Sequence, residues 1–165
     1  MKKLIVPLAQ GLEEIEAVSI IDILRRAEIE VTTAGLDSTR ILGSHKITIE
    51  ADELLEDLKP NNYDGIVLPG GMPGTLNLKN NPLIISVLQN FFDAGKLIGA
   101  ICAAPMVLYE AGILEGKDFT MHPGVKDEIP LEAKNVQIVE DGNMITGQAS
   151  GAAVLFALTI VKKLQ

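Results

Sequence analysis

Cys102 is the only cysteine of this 165-residue chain, and it lies where an apolar run meets a predicted helix. The run covers residues 97–101, and Ala103-Ala104-Pro105 follows the thiol. Because proline is tolerated in the first turn of a helix, this order predicts a strand that turns directly into a helix at Cys102. A side chain on such a turn projects from the carboxyl edge of a sheet, and the positive end of the helix favours its thiolate. A lone cysteine is more often a small buried hydrophobic residue, but this position predicts a reactive thiol.

Glu16 is the first candidate partner for that thiol. Residues 13–27 have the apolar spacing of a helix, and at about 100° per residue Glu16 falls on the same face as Ile20. Glu14 falls instead on the side of Arg25, away from the apolar face. A carboxyl group on a buried face must be protonated or strongly hydrogen-bonded, and a protonated one can donate a hydrogen bond to a thiolate. The alternative is that the acidic residues of this first turn only complement the helix dipole.

The chain has two histidines, and the sequence places them differently. His122 precedes Pro123, which favours an extended or turn conformation, and it follows a predicted short strand at 119–121. A proton-transfer role and a satisfied, partly buried histidine are equally compatible with this position. His45 lies in a segment, 41–49, that predicts a hairpin or an extended arm, and we expect it to be a surface residue.

Two glycine-containing turns follow predicted strands. Pro69-Gly70-Gly71-Met72-Pro73-Gly74 follows the strand at 65–68, but it lacks the spacing of a dinucleotide-binding fingerprint and the lysine of a P-loop. Its glycines let backbone N–H groups approach a ligand, which predicts either an oxyanion hole or a simple tight turn. The second turn, residues 147–151, can bind an anion or cap the last helix through Ser150.

Length, charge and cysteine content narrow the class of protein. A chain of 165 residues fits a single domain, 1–165, with a proper core, and no segment reaches the roughly 18 apolar residues of a membrane span. The net charge of -8 argues against nucleic acids and anionic membranes as partners. One free cysteine and two histidines predict no metal site and agree with the reducing cytosol, so we expect a cytoplasmic protein.

Apolar runs alternate with helical patterns along the chain. Further strands are predicted at 4–9, 29–34, 65–68, 136–140 and 144–146, and further helices at 52–58, 82–94, 103–111 and 152–163. Such alternation is typical of an α/β fold whose mostly parallel sheet is covered on both faces. In these folds the ligand lies beyond the carboxyl ends of the strands. The predicted turns at Gly11, Gly70 and Cys102 all follow strands in this way.

Four motifs together resemble one known group of proteins. They are Gly11-Leu12-Glu13-Glu14-Ile15-Glu16, Leu68-Pro69-Gly70-Gly71, Ala100-Ile101-Cys102-Ala103-Ala104-Pro105 and Thr120-Met121-His122-Pro123. Their order and spacing are similar to those of the ThiJ/PfpI superfamily, in the branch that contains the parkinsonism-associated protein deglycase. The resemblance implies a flavodoxin-like three-layer sandwich, similar to the class I glutamine amidotransferases. It also implies that the protein is a homodimer whose active site lies near the subunit interface and needs no cofactor.

The resemblance further implies roles for particular residues. Cys102 would be a nucleophilic and easily oxidised thiol, Glu16 its protonated glutamic acid partner, and His122 a neighbour of the thiol. Backbone donors would come from the Gly70-Gly71 loop and from Ala103. The implied activity is that of a cysteine-dependent glyoxalase or deglycase acting on small reactive carbonyls such as methylglyoxal. The alternative is a redox-sensing or chaperone-like stress protein with an oxidisable cysteine and little turnover.

The sequence departs from the family pattern at three informative positions. Ala103 stands where the protease branch has a histidine, which speaks against peptidase activity. His45 and Gln148 stand where close relatives have arginines, which predicts a weaker anion-binding pocket and leaves the preferred substrate open. Because no histidine follows His122, the cysteine and late histidine pair of glutamine amidotransferases is also excluded.

Overall fold

The computed structural model describes residues 1–165 and contains a seven-stranded sheet between two layers of helices. In chain order the strands are β1 (Lys3–Leu8), β2 (Glu30–Gly35), β3 (Arg40–Leu42), β4 (Thr48–Glu50), β5 (Glu53–Leu54), β6 (Gly65–Leu68), β7 (Leu97–Ile101), β8 (Ile138–Asp141) and β9 (Met144–Gly147). The α-helices are α1 (Glu14–Arg26), α2 (Gly74–Lys79), α3 (Pro82–Asp93), α4 (Pro105–Glu110) and α5 (Ala153–Leu164). None of these helices has both the length and the apolar character needed to cross a membrane.

The order of the strands brings the predicted site residues to one edge of the sheet. That order is β5-β2-β1-β6-β7-β9-β8, and every neighbouring pair is parallel except β8 and β9. Because parallel strands point the same way, the carboxyl ends of β1, β6, β7 and β9 meet at the same edge. The loops that leave this edge contain Gly11, Gly70, Cys102 and Gln148.

Different helices cover the two faces of the sheet. Successive residues of a strand point to opposite faces, and β1 illustrates the result. Ile5 belongs to the apolar cluster beneath α2, α3 and α4, whereas Leu4 and Val6 belong to the cluster beneath α1 and α5. The predicted three-layer α/β sandwich with a mostly parallel central sheet is therefore confirmed. The small hairpin of β3 and β4 was also predicted, at 41–49, and it forms a separate two-stranded sheet.

The predicted strand at 119–121 is wrong. Residues 119–121 are irregular, and hydrogen bonds that involve threonine side chains hold them in place of the backbone ladder of a strand. The Thr120 N–H donates to Oγ1 of Thr146 at 2.9 Å, and the Thr120 hydroxyl donates to the carbonyl of Val136 at 2.8 Å. Both bonds tie this irregular segment to the region of β8 and β9, just before His122.

Two other predicted elements differ in kind or in extent, and one helix was not predicted. Residues 52–58 form β5 and a 3-10 turn at Leu55–Asp57, not an acidic helix. Helix α2 lies in a stretch whose glycines and prolines predicted only a turn, and it was missed for that reason. The helix predicted at 103–111 begins at Pro105, because the residues before it form the turn that holds Cys102.

Candidate active site

Cys102 lies on a strained turn between β7 and α4. Its φ of 65° is in the left-handed region, which costs a non-glycine residue roughly 1–3 kcal/mol. Its N–H donates to the carbonyl of Gly147, and its own carbonyl accepts from the N–H of His122, both at 2.9 Å. These bonds fix the turn from two neighbouring segments, and the thiol remains partly exposed. The predicted strand-to-helix turn is therefore confirmed.

Glu16 is fully buried on the inward face of α1, as the helical spacing predicted. Its Oε1 accepts from the Gly70 N–H at 2.9 Å, and its Oε2 accepts from the Ser150 hydroxyl at 2.7 Å. The thiol of Cys102 lies close enough that each group shifts the pKa of the other. Four separate segments of the chain thus meet at this one carboxyl group.

Burial and mutual repulsion control the protons of this pair. Burial raises the pKa of Glu16, and hydrogen bonds from Ser150, Gly70 and Cys102 oppose the rise. Burial and the ionised Glu16 carboxylate raise the pKa of Cys102 to about 12, although the Ala103 N–H lowers it by bonding to the sulfur. Since like charges at one site cannot both form cheaply, the two groups titrate as a pair. A thiolate is favoured at Cys102 when Glu16 holds the proton.

The Gly70-Gly71 loop packs directly against this pair. A Cβ at Gly70 would lie 2.7 Å from Glu16 Oε1 and 2.8 Å from the Cβ of Cys102, so only glycine fits there. Gly71 has a φ of +95°, and a Cβ there would meet the backbone nitrogen of Glu13 at 2.3 Å. Because the Gly70 N–H already donates to Glu16, Gly70 serves to position the carboxyl group. Gly71 and Ala103 stay the predicted donors to an oxyanion.

His122 reaches Cys102 through its backbone. Its N–H donates to the Cys102 carbonyl, whereas its imidazole is exposed and its Nδ1 accepts from the Gly124 N–H at 2.9 Å. This bond leaves the ring proton on Nε2 when the imidazole is neutral. The structure therefore places the backbone of His122 against that of Cys102, and both the approach of the imidazole to the thiol and its role in proton transfer stay predictions.

Glu14 was predicted to lie on the side of Arg25, away from the apolar face, and the structure shows that it is nevertheless buried. The hairpin of β3 and β4 folds over the start of α1, and the Glu14 side chain is only 6% exposed. Its carboxylate accepts from the N–H groups of His45 and Ile47 at 3.0 and 3.2 Å, and from the Ser44 hydroxyl at 3.3 Å. Helical periodicity alone could not find this role, because the covering segment is distant in the sequence.

His45 is exposed, as predicted, but it belongs to a cluster that the sequence analysis missed. Its Nδ1 lies 3.4 Å from Oε2 of Glu13 and 3.4 Å from Oε1 of Glu14. Ligand atoms of these three residues lie within 4.8 Å of one another, so together they could hold a metal ion. Two features oppose this use, since the Glu14 oxygens already accept several hydrogen bonds and a helix N-terminus repels cations.

Gln148 lies beside a separate cleft. Its side-chain amide donates to Oδ1 of Asn135 at 2.8 Å. Both residues line a cleft of about 400 Å³ that also includes Met121 and Pro123, the chain neighbours of His122. Neither Cys102 nor Glu16 lines this cleft.

A family comparison accounts for this combination of fold and site. A model of the DJ-1/PfpI family matches residues 2–163, nearly the whole chain. The chain belongs to the DJ-1/PfpI family. The resemblance that the four sequence motifs indicated is therefore confirmed, and the DJ-1/PfpI match extends well beyond those motifs.

Individual DJ-1 relatives are similar over almost all of this chain. The Parkinson disease protein 7 homolog of Danio rerio is 40% identical over 169 residues, which cover 99% of this chain and 89% of that protein. Protein DJ-1 homolog B of Arabidopsis thaliana is 38% identical over 98% of this chain, and this chain spans only 37% of its length. A protein named deglycase from Pyrococcus abyssi is 29% identical over 95% of this chain and 96% of its own length.

Solved DJ-1 structures have the same fold. The oxidised DJ-1 of Toxoplasma gondii aligns with a TM-score of 0.95 and 35% identity, covering 99% of this chain and 91% of that one. The agreement over nearly full lengths supports the single α/β sandwich described above.

Proposed function

We propose that this DJ-1/PfpI protein is a cofactor-independent, cysteine-dependent glyoxalase or deglycase that acts on small reactive carbonyls such as methylglyoxal. The observation that carries the proposal is the buried carboxyl group of Glu16 packed beside Cys102, whose thiol lies on a strained turn. A buried carboxyl group that holds a proton beside a partly exposed thiol can both favour the thiolate and donate that proton to a substrate oxygen. The Pyrococcus abyssi relative named deglycase supports the same class of reaction.

The reaction needs no external oxidant, because one carbon of methylglyoxal is oxidised while its neighbour is reduced. The Cys102 sulfur bonds to the aldehyde carbon, and the carbonyl electron pair moves to the oxygen, which takes a proton. The N–H groups of Gly71 and Ala103 would stabilise the charge on that oxygen. The hydrogen of the former aldehyde carbon then moves as a proton to the next carbon through an enediol, with Glu16 and His122 as the groups that exchange protons. Water cleaves the resulting lactoyl thioester and releases lactate and the free thiol.

The test is the consumption of methylglyoxal by purified wild-type protein and by Cys102→Ser. We expect the substitution to abolish turnover while the melting temperature stays close to that of the wild type, because serine is nearly isosteric. Lactate formation should match methylglyoxal loss in a one-to-one ratio. Equal rates in the two proteins would overturn the proposal.

A second candidate is a redox sensor in the reducing cytosol, in which Cys102 is oxidised to a sulfinic acid and little turnover occurs. The partly exposed thiol and the oxidised state of the Toxoplasma gondii relative favour it. Mass spectrometry after mild peroxide treatment tests this candidate directly. Addition of two oxygen atoms at Cys102 is the expected result, and an unmodified thiol would exclude sensing.

We also propose that two copies of the chain associate through α1 and α5. These helices pack side by side and expose five large apolar side chains, each 46–59% accessible: Ile15, Val18, Val154, Leu155 and Leu158. Their spacing places each set on one outward helical face next to the segments that hold Glu16 and Ser150, and an uncovered apolar face of this kind is typical of an interface. A second copy offers the matching apolar surface.

Light scattering on Val18→Lys and Leu155→Lys tests the interface. We expect the wild type to have twice the 17.7 kDa chain mass and both variants to have the single mass. Leu83→Lys is the control, because Leu83 is 39% exposed on α3 in the opposite layer. A wild-type mass of one chain would overturn this proposal.

A further inference from the structure

Ser150 contacts the carboxyl group of the candidate pair although it lies far from Glu16 in the sequence. It begins a 3-10 turn, Ser150–Ala152, that follows β9 and precedes α5. Its hydroxyl oxygen lies 2.7 Å from Oε2 of Glu16, the distance of a strong hydrogen bond to a charged acceptor. The sequence predicted only a helix cap for Ser150, but no cap bond is formed at this turn.

The hydrogen bond from Ser150 to Glu16 affects the protonation of both Glu16 and Cys102. A hydroxyl that donates to a carboxylate stabilises the ionised form of that carboxylate. An ionised Glu16 repels negative charge on the Cys102 sulfur, whereas a protonated Glu16 donates to it. Gly70 contributes a donor of the same kind, but it does so through the backbone, so no side-chain substitution removes it. Of these two donors to Glu16, only the Ser150 hydroxyl can therefore be removed by a side-chain substitution.

We propose that Ser150 is a positioning residue whose hydrogen bond to Glu16 favours the ionised carboxylate and so lowers the fraction of Cys102 that is present as the reactive thiolate. This inference rests on the proposed function, because it concerns the same thiol. Ser150 lies outside the four sequence motifs given above, yet it would control the fraction of Cys102 that is thiolate at neutral pH. Removing the hydroxyl moves the shared proton from the sulfur to Glu16.

The experiment measures the reactivity of the single thiol, with no carbonyl substrate present. We expect Ser150→Ala to raise the rate of iodoacetamide alkylation at neutral pH by about tenfold, as expected for loss of a hydrogen bond to a charged group. The ultraviolet absorbance of the thiolate should appear at correspondingly lower pH. Ser150→Thr keeps the hydroxyl and should restore the wild-type rate. An alkylation rate in Ser150→Ala equal to or below that of the wild type would overturn the proposal.

Two further variants separate this role from a general structural one. Ser44→Ala is the matched control, because Ser44 also bonds to a buried carboxylate, Glu14, and we expect it to leave the alkylation rate unchanged. In the Glu16→Gln background, adding Ser150→Ala should change the rate by less than about twofold, because the effect acts through Glu16. A tenfold change in that background would also overturn the proposal. Alkylation does not depend on methylglyoxal turnover. The effect of Ser150→Ala can therefore be measured even if the protein does not consume methylglyoxal.

Discussion

The buried carboxyl group of Glu16 lies close to the thiol of Cys102, and each group shifts the pKa of the other. The carboxyl group comes from the first turn of α1 and the thiol from the end of β7. The topology joins them, because the carboxyl ends of β1 and β7 meet at the same sheet edge. A buried carboxyl group and a partly exposed thiol from distant parts of the sequence are thus brought side by side.

Replacing Glu16 with glutamine should lower methylglyoxal turnover by about 100-fold, the size of a typical general-acid contribution. Glutamine can still accept from the Gly70 N–H through its carbonyl oxygen and donate to the Ser150 hydroxyl through its amide, so we expect the fold to persist while the exchangeable proton is lost. Initial rates and a thermal melt measure the two effects separately. Glu50→Gln is the control, because Glu50 is an exposed carboxylate bonded to Thr39, and it should keep full activity. Retention of more than half of the wild-type rate in Glu16→Gln would contradict the proton-transfer role.

Gly70→Ala should abolish activity and also destabilise the protein. The new methyl group would lie 2.8 Å from the carbonyl oxygen of Ile101 and 2.7 Å from Glu16 Oε1, and the backbone atom cannot move freely. The control is Gly116→Ala, because a Cβ there meets nothing within 4 Å although its φ is +80°. We expect this control to lose about 1 kcal/mol of unfolding free energy and no activity. Urea denaturation and methylglyoxal consumption, measured on both variants, distinguish strain from damage to the site.

The sequence predicted the sheet, the turn at Cys102 and the inward position of Glu16, because each depends on local periodicity or on neighbouring residues. It failed at Glu14, whose burial depends on a hairpin that begins more than twenty positions later. It failed at 119–121 for a related reason, since the partners of Thr120 are side-chain and carbonyl groups of a distant segment. Ser150 also could not be found from its surroundings, because its partner lies in the first helix. Local sequence patterns indicate individual helices and strands, but contacts between segments that are distant in the sequence can be identified only from the three-dimensional structure.

Glu14→Gln should destabilise the protein near neutral pH and reduce its sensitivity to acid. Burial alone would raise the pKa of Glu14, but hydrogen bonds from backbone N–H groups, including those of Ile47 and His45, hold it below its ordinary value. A lowered folded-state pKa contributes stability above the unfolded value, and this stability is lost as the pH falls through the folded value. We therefore expect a loss of about 1–3 kcal/mol at pH 7 and a smaller difference at acid pH.

Urea unfolding between about pH 7 and pH 3 measures this dependence. Asp22→Asn is the control, because Asp22 makes only an exposed ion pair with Arg26, and such pairs contribute little. A Glu14→Gln variant whose stability falls with acid as steeply as that of the wild type would contradict the buried role of Glu14.

Cys102→Ser should reduce the decrease of the unfolding free energy at alkaline pH. The pKa of Cys102 is raised to about 12 by burial and by the Glu16 carboxylate, whereas an unfolded thiol titrates near its ordinary value of about 8.5. A raised folded-state pKa gives stability that is complete below the unfolded value and is lost as the pH rises toward the folded value. The wild type should therefore lose stability progressively above about pH 8.5, and the serine variant, which has no thiol to titrate, should lose less. Urea unfolding at intervals across this pH range gives the slope of the unfolding free energy against pH for each protein. Identical slopes would mean that the folded protein does not bind the thiol proton more tightly than the unfolded chain does.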